Sequence, residues 1–238
     1  FYLRAAEFFT AHRDPDKLAL YNRFLSIFYK DAFPNDPIER FAIPYQKGTL
    51  PALRIRANTQ PSRDPLAMHG GFDSFIEEFY SLACHFANHG IDVVLFEGPG
   101  QGGALRNSGL PLEYAWEKPA SAVLDFFDLD SVTWLGISMG GWLCFRAAAF
   151  EPRIARVIAL SIAFDYMQIP PPPIAAFARW LFRHPQLMER LSDMKMRRMP
   201  QERWGIDNLQ FISHTTTALD AGLFIAQYNE ENQQPQRV

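Results

Sequence analysis

The sequence predicts an α/β fold, a mostly parallel sheet with helices on both faces, and three observations predict it. Strand-like and helix-like segments alternate between residues 65 and 161. The strand candidates are short, apolar runs, as in strands buried on both sides. At residues 132–150 an apolar strand, a Gly-rich turn and an apolar helix follow one another directly. Strands separated by helices must recross the sheet and therefore lie parallel.

In chain order, residues 1–33 are aromatic-rich, with apolar positions recurring at helical spacing. Asp14-Pro15 interrupts them and opens a second helix, with Asp14 as cap and Pro15 in the first turn. Prolines 34, 37 and 44 mark a loop. Two short strands are expected at 39–44 and 50–56, the second alternating Leu53 and Ile55 with Arg54 and Arg56. A strand at 65–68 leads into His69-Gly70-Gly71, and residues 75–89 read as a helix stopped by Gly90. A buried strand at 91–96 ends in Glu97-Gly98-Pro99-Gly100-Gln101-Gly102-Gly103. A helix at 120–127, a strand at 132–136, a helix at 140–150 and a strand at 154–161 follow. The four prolines at 170–173 then introduce helical stretches rich in Phe, Trp, Met and Arg. The expected organisation is a helical N-terminal cap element (1–37), an α/β core (38–161), an inserted helical cap (162–228) and a loop or frayed end (229–238). No internal repeat appears.

Composition excludes several functions. The 238 residues are 48% hydrophobic, enough for a sizeable core. With 23 Lys+Arg against 26 Asp+Glu and a formal net charge of -3, a nucleic-acid partner is not expected. No apolar run approaches the roughly 18 residues of a membrane helix, and no signal peptide is visible. Cys84 and Cys144 are read as reduced, buried thiols of a cytoplasmic protein. No cysteine–histidine spacing suits zinc, so neither metal nor cofactor is expected. The chain opens at Phe1 rather than Met, so residues are expected to be missing there.

The chemistry centres on Gly136-Ile137-Ser138-Met139-Gly140-Gly141. A Gly-x-Ser-x-Gly run between a strand and a helix forces the serine onto a sharp turn, with its hydroxyl aimed out of the fold. The glycines flank it because side chains there would strike neighbouring backbone. Ser138 is therefore the candidate nucleophile. A serine hydroxyl also needs a base and a site for the developing oxyanion. Met139 is expected to supply one oxyanion-hole N–H, and Gly71 or Phe72, in the loop after His69, the second. His69 itself is read as packing the loop.

The base is the weak point. With such an elbow the triad runs serine, acid, histidine along the chain. After Ser138 only His184 and His214 remain, both in the helical cap region. Asp165 and His214 are weak candidates for acid and base. The expectation is that the missing acid and histidine, with the last strands of the sheet, follow Val238.

Three motifs together carry a resemblance: His69-Gly70-Gly71-Phe72-Asp73-Ser74 with Glu77-Glu78, then Glu97 to Gly102, then Gly136 to Gly141. They resemble the α/β-hydrolase group that includes 2,6-dihydropseudooxynicotine hydrolase, a carbon–carbon bond hydrolase, and the esterase-like fermentation–respiration switch proteins. The resemblance implies an α/β-hydrolase fold, a Ser-Asp-His mechanism and a helical cap over the site. It also implies that an acidic residue just after the oxyanion loop assists catalysis, and Asp73 stands at that place. The competing reading of Asp73 is an N-cap for a helix starting near Ser74.

The expected activity is hydrolysis of an ester or an activated C–C bond next to a carbonyl in a small, apolar or aromatic substrate. Phe72, Tyr166, Phe177 and Trp180 are the candidate substrate-binding residues, with Phe164 and Phe182 as further cap aromatics. The alternatives are a non-catalytic binder of the same fold, or an acyltransferase or peptidase using the same serine. Nothing demands a membrane partner, and a homodimer is left open. The Glu97–Gly103 turn lacks the Lys-Ser/Thr ending of a phosphate loop and is read as structural.

Overall fold

The computed structural model describes residues 2–12, 14–58, 63–160 and 165–234. The chain divides into two compact units, one of Pro37–Phe164 with Tyr228–Val238, the other of Phe1–Asp36 with Asp165–Gln227.

In the first unit the described strands are β1 (Glu39–Tyr45), β2 (Gly48–Ile55), β3 (Arg63–His69), β4 (Ile91–Phe96), β5 (Val132–Ile137) and β6 (Ile154–Leu160). They form one sheet in the order β1-β2-β4-β3-β5-β6. β1 and β2 make a hairpin closed by Gln46 and Lys47, with Tyr45 opposite Gly48. β2 meets β4 antiparallel, and the β4–β3, β3–β5 and β5–β6 pairs are parallel. Val93, Val94, Leu95 and Phe96 are all buried, as an unbroken apolar run in the middle of a two-sided sheet requires. β6 closes the described sheet, and its Ile158 and Leu160 are exposed.

Helices α3 (Tyr80–Asn88), α4 (Gly102–Arg106), α5 (Glu117–Phe126) and α6 (Gly140–Phe150) belong to this unit. α6 runs over the residues the sequence predicted. The helix expected at 75–89 is split, because a 3-10 turn at Ile76–Phe79 precedes α3. Glu78 Oε2 accepts the Phe75 N–H at 2.9 Å and so caps that turn. α4 is a short helix within a stretch read only as a turn.

The described part of the tail, 229–234, is not frayed. Tyr228 is fully buried against Trp142, with ring centroids 4.9 Å apart. Arg146 on α6 donates to the Asn232 carbonyl and makes a two-pronged pair with Glu117 at 2.8 Å on each prong. Polar composition suggested a loose end, but one buried ring and a captured carbonyl hold it.

The second unit is helical: α1 (Tyr2–Phe9), α2 (Asp16–Ile27), α7 (Pro172–Leu181), α8 (Pro185–Arg198), α9 (Pro200–Ser213) and α10 (Ala218–Ile225). Asp14 Oδ1 accepts the Asp16 N–H at 2.9 Å and starts α2. The buried Glu7 is met by Lys17 at 3.3 Å and Arg4 at 2.9 Å, so its charge is not left alone. Phe8 packs on Trp204 of α9, which ties the N-terminal helices to the later ones. Among the described residues no helix is long and apolar enough to cross a membrane.

Candidate active site

Parallel pairing brings the carboxyl ends of β3, β4 and β5 to one edge of the sheet. The register sets His69 opposite Gly136 and Met68 opposite Leu95, so the loops after the three strands emerge side by side. Such an edge is where open α/β sheets bind ligands.

Ser138 follows β5 directly and has φ +61°, a left-handed backbone that non-glycine residues adopt only at a cost. Its N–H donates to Leu160 O at 2.9 Å, and its carbonyl accepts the Gly141 N–H at 2.8 Å. These bonds hold the turn between β6 and the first turn of α6. The flanking glycines are required: a Cβ on Gly136 would collide with the Gly140 carbonyl, and one on Gly140 would lie 2.6 Å from Gly70 O.

The second contact of Gly140 shows that the loop after β3 lies against the elbow. A Cβ on Gly71 would stand 2.9 Å from the Met139 nitrogen. Among the described residues, no backbone carbonyl takes the N–H of Gly71, Phe72 or Met139. Phe72 is partly exposed, and Met139 is buried.

His69 is fully buried among Phe96, Trp116 and Trp134. Trp116 Nε1 donates to His69 Nε2 at 3.2 Å, so that nitrogen is the acceptor. The proton therefore sits on Nδ1, which donates to Gly70 O at 2.9 Å. Burial pushes the imidazole pKa down to about 4, so the ring is neutral and both nitrogens are engaged. His69 is a loop-packing residue.

Asp73 corrects the sequence reading in part. It is not an N-cap: the helical turn begins at Ile76, and Glu78 does the capping. Asp73 has φ +58° and a buried carboxylate that accepts from Arg106 Nη2 at 2.7 Å. The Arg106 guanidinium also lies over the Phe75 ring, 4.7 Å from its centroid. The geometry makes Asp73 an anchor of the loop after β3.

Two further polar residues complete this layer, both from the Glu97–Gly103 turn that the sequence reading took as structural without giving either side chain a role. Gln101 Nε2 donates to Gly70 O at 2.7 Å and Gly71 O at 2.8 Å, while its Oε1 accepts the Gly98 N–H at 2.9 Å. Glu97 accepts from Gly103 N at 2.6 Å and Ile76 N at 3.2 Å. Burial and the neighbouring Glu77 raise the Glu97 carboxyl to about 8. The available signal was a lone amide and a lone acid in a Gly-rich turn at the carboxyl end of a strand.

Most of the remaining candidates belong to the helical unit. Phe177 and Trp180 stack on α7 of the helical unit at 5.8 Å and are exposed. Burial raises the Tyr166 hydroxyl to about 12. Phe182 packs near Gly222, and Phe164 lies outside the described residues. Asp165 accepts from Gln168 at 3.3 Å. His214 is an exposed, left-handed cap ending α9. In the core unit, His85 and His89 pack against each other at the end of α3, rings tilted by 41°, just before β4 begins, at the opposite end of the sheet from Ser138. Cys144 is buried and its thiol is pushed up to about 12 by that burial. Among the described residues no group of three or more His, Cys, Asp or Glu could hold a metal ion.

The comparisons agree with this architecture. The model of an alpha/beta hydrolase family matches residues 66–228. The chain is 34% identical over 197 residues to hydrolase acrC of Aspergillus aculeatus, covering 71% of this chain and 46% of that protein. It is 35% identical over 190 residues to 20-hydroxy-prefusarin hydrolase FUS2 of Gibberella moniliformis, covering 71% and 44%. Alpha/beta hydrolase psoB of Aspergillus fumigatus is 31% identical over 253 residues, covering 92% and 55%. The chain thus spans about half the length of the curated relatives it matches. The solved 2,6-dihydroxy-pseudo-oxynicotine hydrolase shares the fold, with TM-score 0.70 at 21% identity over 95% of this chain and 57% of that one. The chain belongs to the alpha/beta hydrolase family.

Proposed function

We propose that the chain carries the nucleophile and oxyanion site of a serine hydrolase. Ser138 attacks a substrate carbonyl, the resulting oxyanion is held by the Met139 and Gly71 N–H groups, and water releases the acid from the acyl-enzyme. The observation that supports this most is the pairing of a strained, left-handed Ser138 with a glycine backbone seated against the next residue's amide. Gly71 is preferred to Phe72 as second donor because a Cβ on Gly71 would meet the Met139 nitrogen at 2.9 Å. Asp73 enters as the anchor of that loop through Arg106, not as a proton donor. The proposed substrate is apolar, an ester or an activated C–C bond beside a carbonyl.

The rival reading, a non-catalytic binder, draws on one observation: among the described residues of the core unit no histidine is placed to take the Ser138 proton. A fluorophosphonate probe separates the two. Labelling that disappears in Ser138→Ala supports the hydrolase, and an unlabelled, folded wild type supports the binder. Alanine at His184 or His214 tests each as the base: persistence of turnover in both variants removes them from the mechanism.

A further inference from the structure

We propose that Gln101 is the positioning residue of the oxyanion site, assisted by His69. The inference rests on the serine-hydrolase reading and names what holds its oxyanion donors in place. A peptide unit is planar and trans, so the N–H of one residue points away from the carbonyl of the residue before it. Gln101 draws the Gly70 and Gly71 carbonyls to a single amide nitrogen, at 2.7 and 2.8 Å. The N–H groups of Gly71 and Phe72 must then both face the other way. Successive N–H groups on one side of a turn make an anion-binding concavity.

The orientation of the Gln101 amide is forced by its partners. Gly98 N–H can only donate and the two carbonyls can only accept, so Oε1 faces Gly98 and Nε2 faces the loop. Both Nε2 hydrogens are donated, Oε1 accepts one bond, and the residue is 1% exposed. His69 Nδ1 adds a second donor to Gly70 O. Two donors on one carbonyl polarise that peptide and strengthen its own N–H, that of Gly71, as a donor. Pointing these N–H groups before substrate arrives removes the reorganisation that a mobile loop would need in the transition state.

The test is steady-state hydrolysis of p-nitrophenyl esters by the full chain, with Gln101→Met and Gln101→Glu beside wild type. Met keeps the bulk and loses the donor, while Glu keeps the Gly98 acceptor and turns an oxygen toward the carbonyls. Expected is a fall in kcat of about 10- to 100-fold with KM within about twofold, because the lost stabilisation belongs to the transition state. Wild-type kcat in both variants overturns the inference, as does a KM that rises in step with the loss. Should both variants fail to fold, His69→Phe and His69→Asn carry the test. Phe lacks the donor to Gly70 and lowers kcat, while Asn, whose side-chain N–H can replace Nδ1, restores part of it. Equal kcat in the two overturns the inference. No turnover and no probe labelling in the wild type removes the hydrolase reading itself, and this one with it.

Discussion

Gly71 leaves no room for a side chain beside Met139: a methyl group on Gly71 would stand 2.9 Å from the Met139 nitrogen and 3.2 Å from its Cβ. Gly71→Ala must therefore push the loop after β3 away from the elbow. The expected result is a loss in kcat of at least about tenfold at nearly constant KM, since two donors no longer converge on one oxygen. Ester kinetics measure it, and an unchanged kcat would show that this proximity is not used.

Ser138 is held at φ +61°. A non-glycine residue there stores strain on the order of 1 kcal/mol. Ser138→Gly is expected to raise Tm by about 2–4 °C, the shift that energy makes in a chain of this size, while ester hydrolysis falls to background. Calorimetry on the variant decides it; a lower Tm means that the turn is relaxed and the strain argument is wrong.

The Asp73–Arg106 pair is buried on both sides, with side chains 1% and 2% exposed. Removing one partner of such a pair leaves a charge facing low dielectric. Arg106→Met is expected to cost about 3 kcal/mol in urea unfolding. The double variant Asp73→Asn with Arg106→Met should recover part of that loss. If it is no more stable than Arg106→Met alone, the two side chains are not coupled.

His69 makes stability fall on the acid side. Its folded pKa of about 4 lies below the ordinary 6.5, so the unfolded chain binds a proton in that window and the folded chain does not. Stability is complete above pH 6.5 and declines by up to about 3 kcal/mol as pH drops toward 4. His69→Phe should flatten this limb of the stability curve. An equally steep limb in the variant would assign it to other groups.

Glu97 acts in the opposite direction. Its carboxyl is raised from 4.5 to about 8, so the folded state keeps a proton that the unfolded state has lost. The contribution is complete below pH 4.5 and is lost as pH rises through about 8. Glu97→Gln, whatever its offset at low pH, should lose less stability than wild type between those limits. Parallel curves for the two proteins would sink the assignment.

Much of the sheet was legible because its signals are local. β4 carries the apolar run Val93–Phe96 and is bracketed by Gly90, with φ +82°, and the turn at Gly98-Pro99. α6 starts at paired glycines two residues after Ser138, which follows β5, and the elbow needs only five consecutive residues to be recognised. The cap reading of Asp73 rested on its local propensity, whereas its partner Arg106 lies 33 positions along the chain and no short window shows it. The anchor of the tail after Tyr228 was hidden for the same reason, Arg146 being 86 positions from Asn232.

The sequence by itself determined the α/β class, the order of the elements and the place of Ser138, since periodicity, glycine spacing and apolar runs act over a few residues. Only the tertiary structure decided what surrounds that serine. The parallel register that sets His69 beside Gly136 delivers the loop after β3 to the elbow. The packing of the turn after β4 then brings Gln101 under Gly70 and Gly71, across 31 and 30 positions. Those contacts depend on how buried surfaces fit together, and no short stretch of residues carries that information.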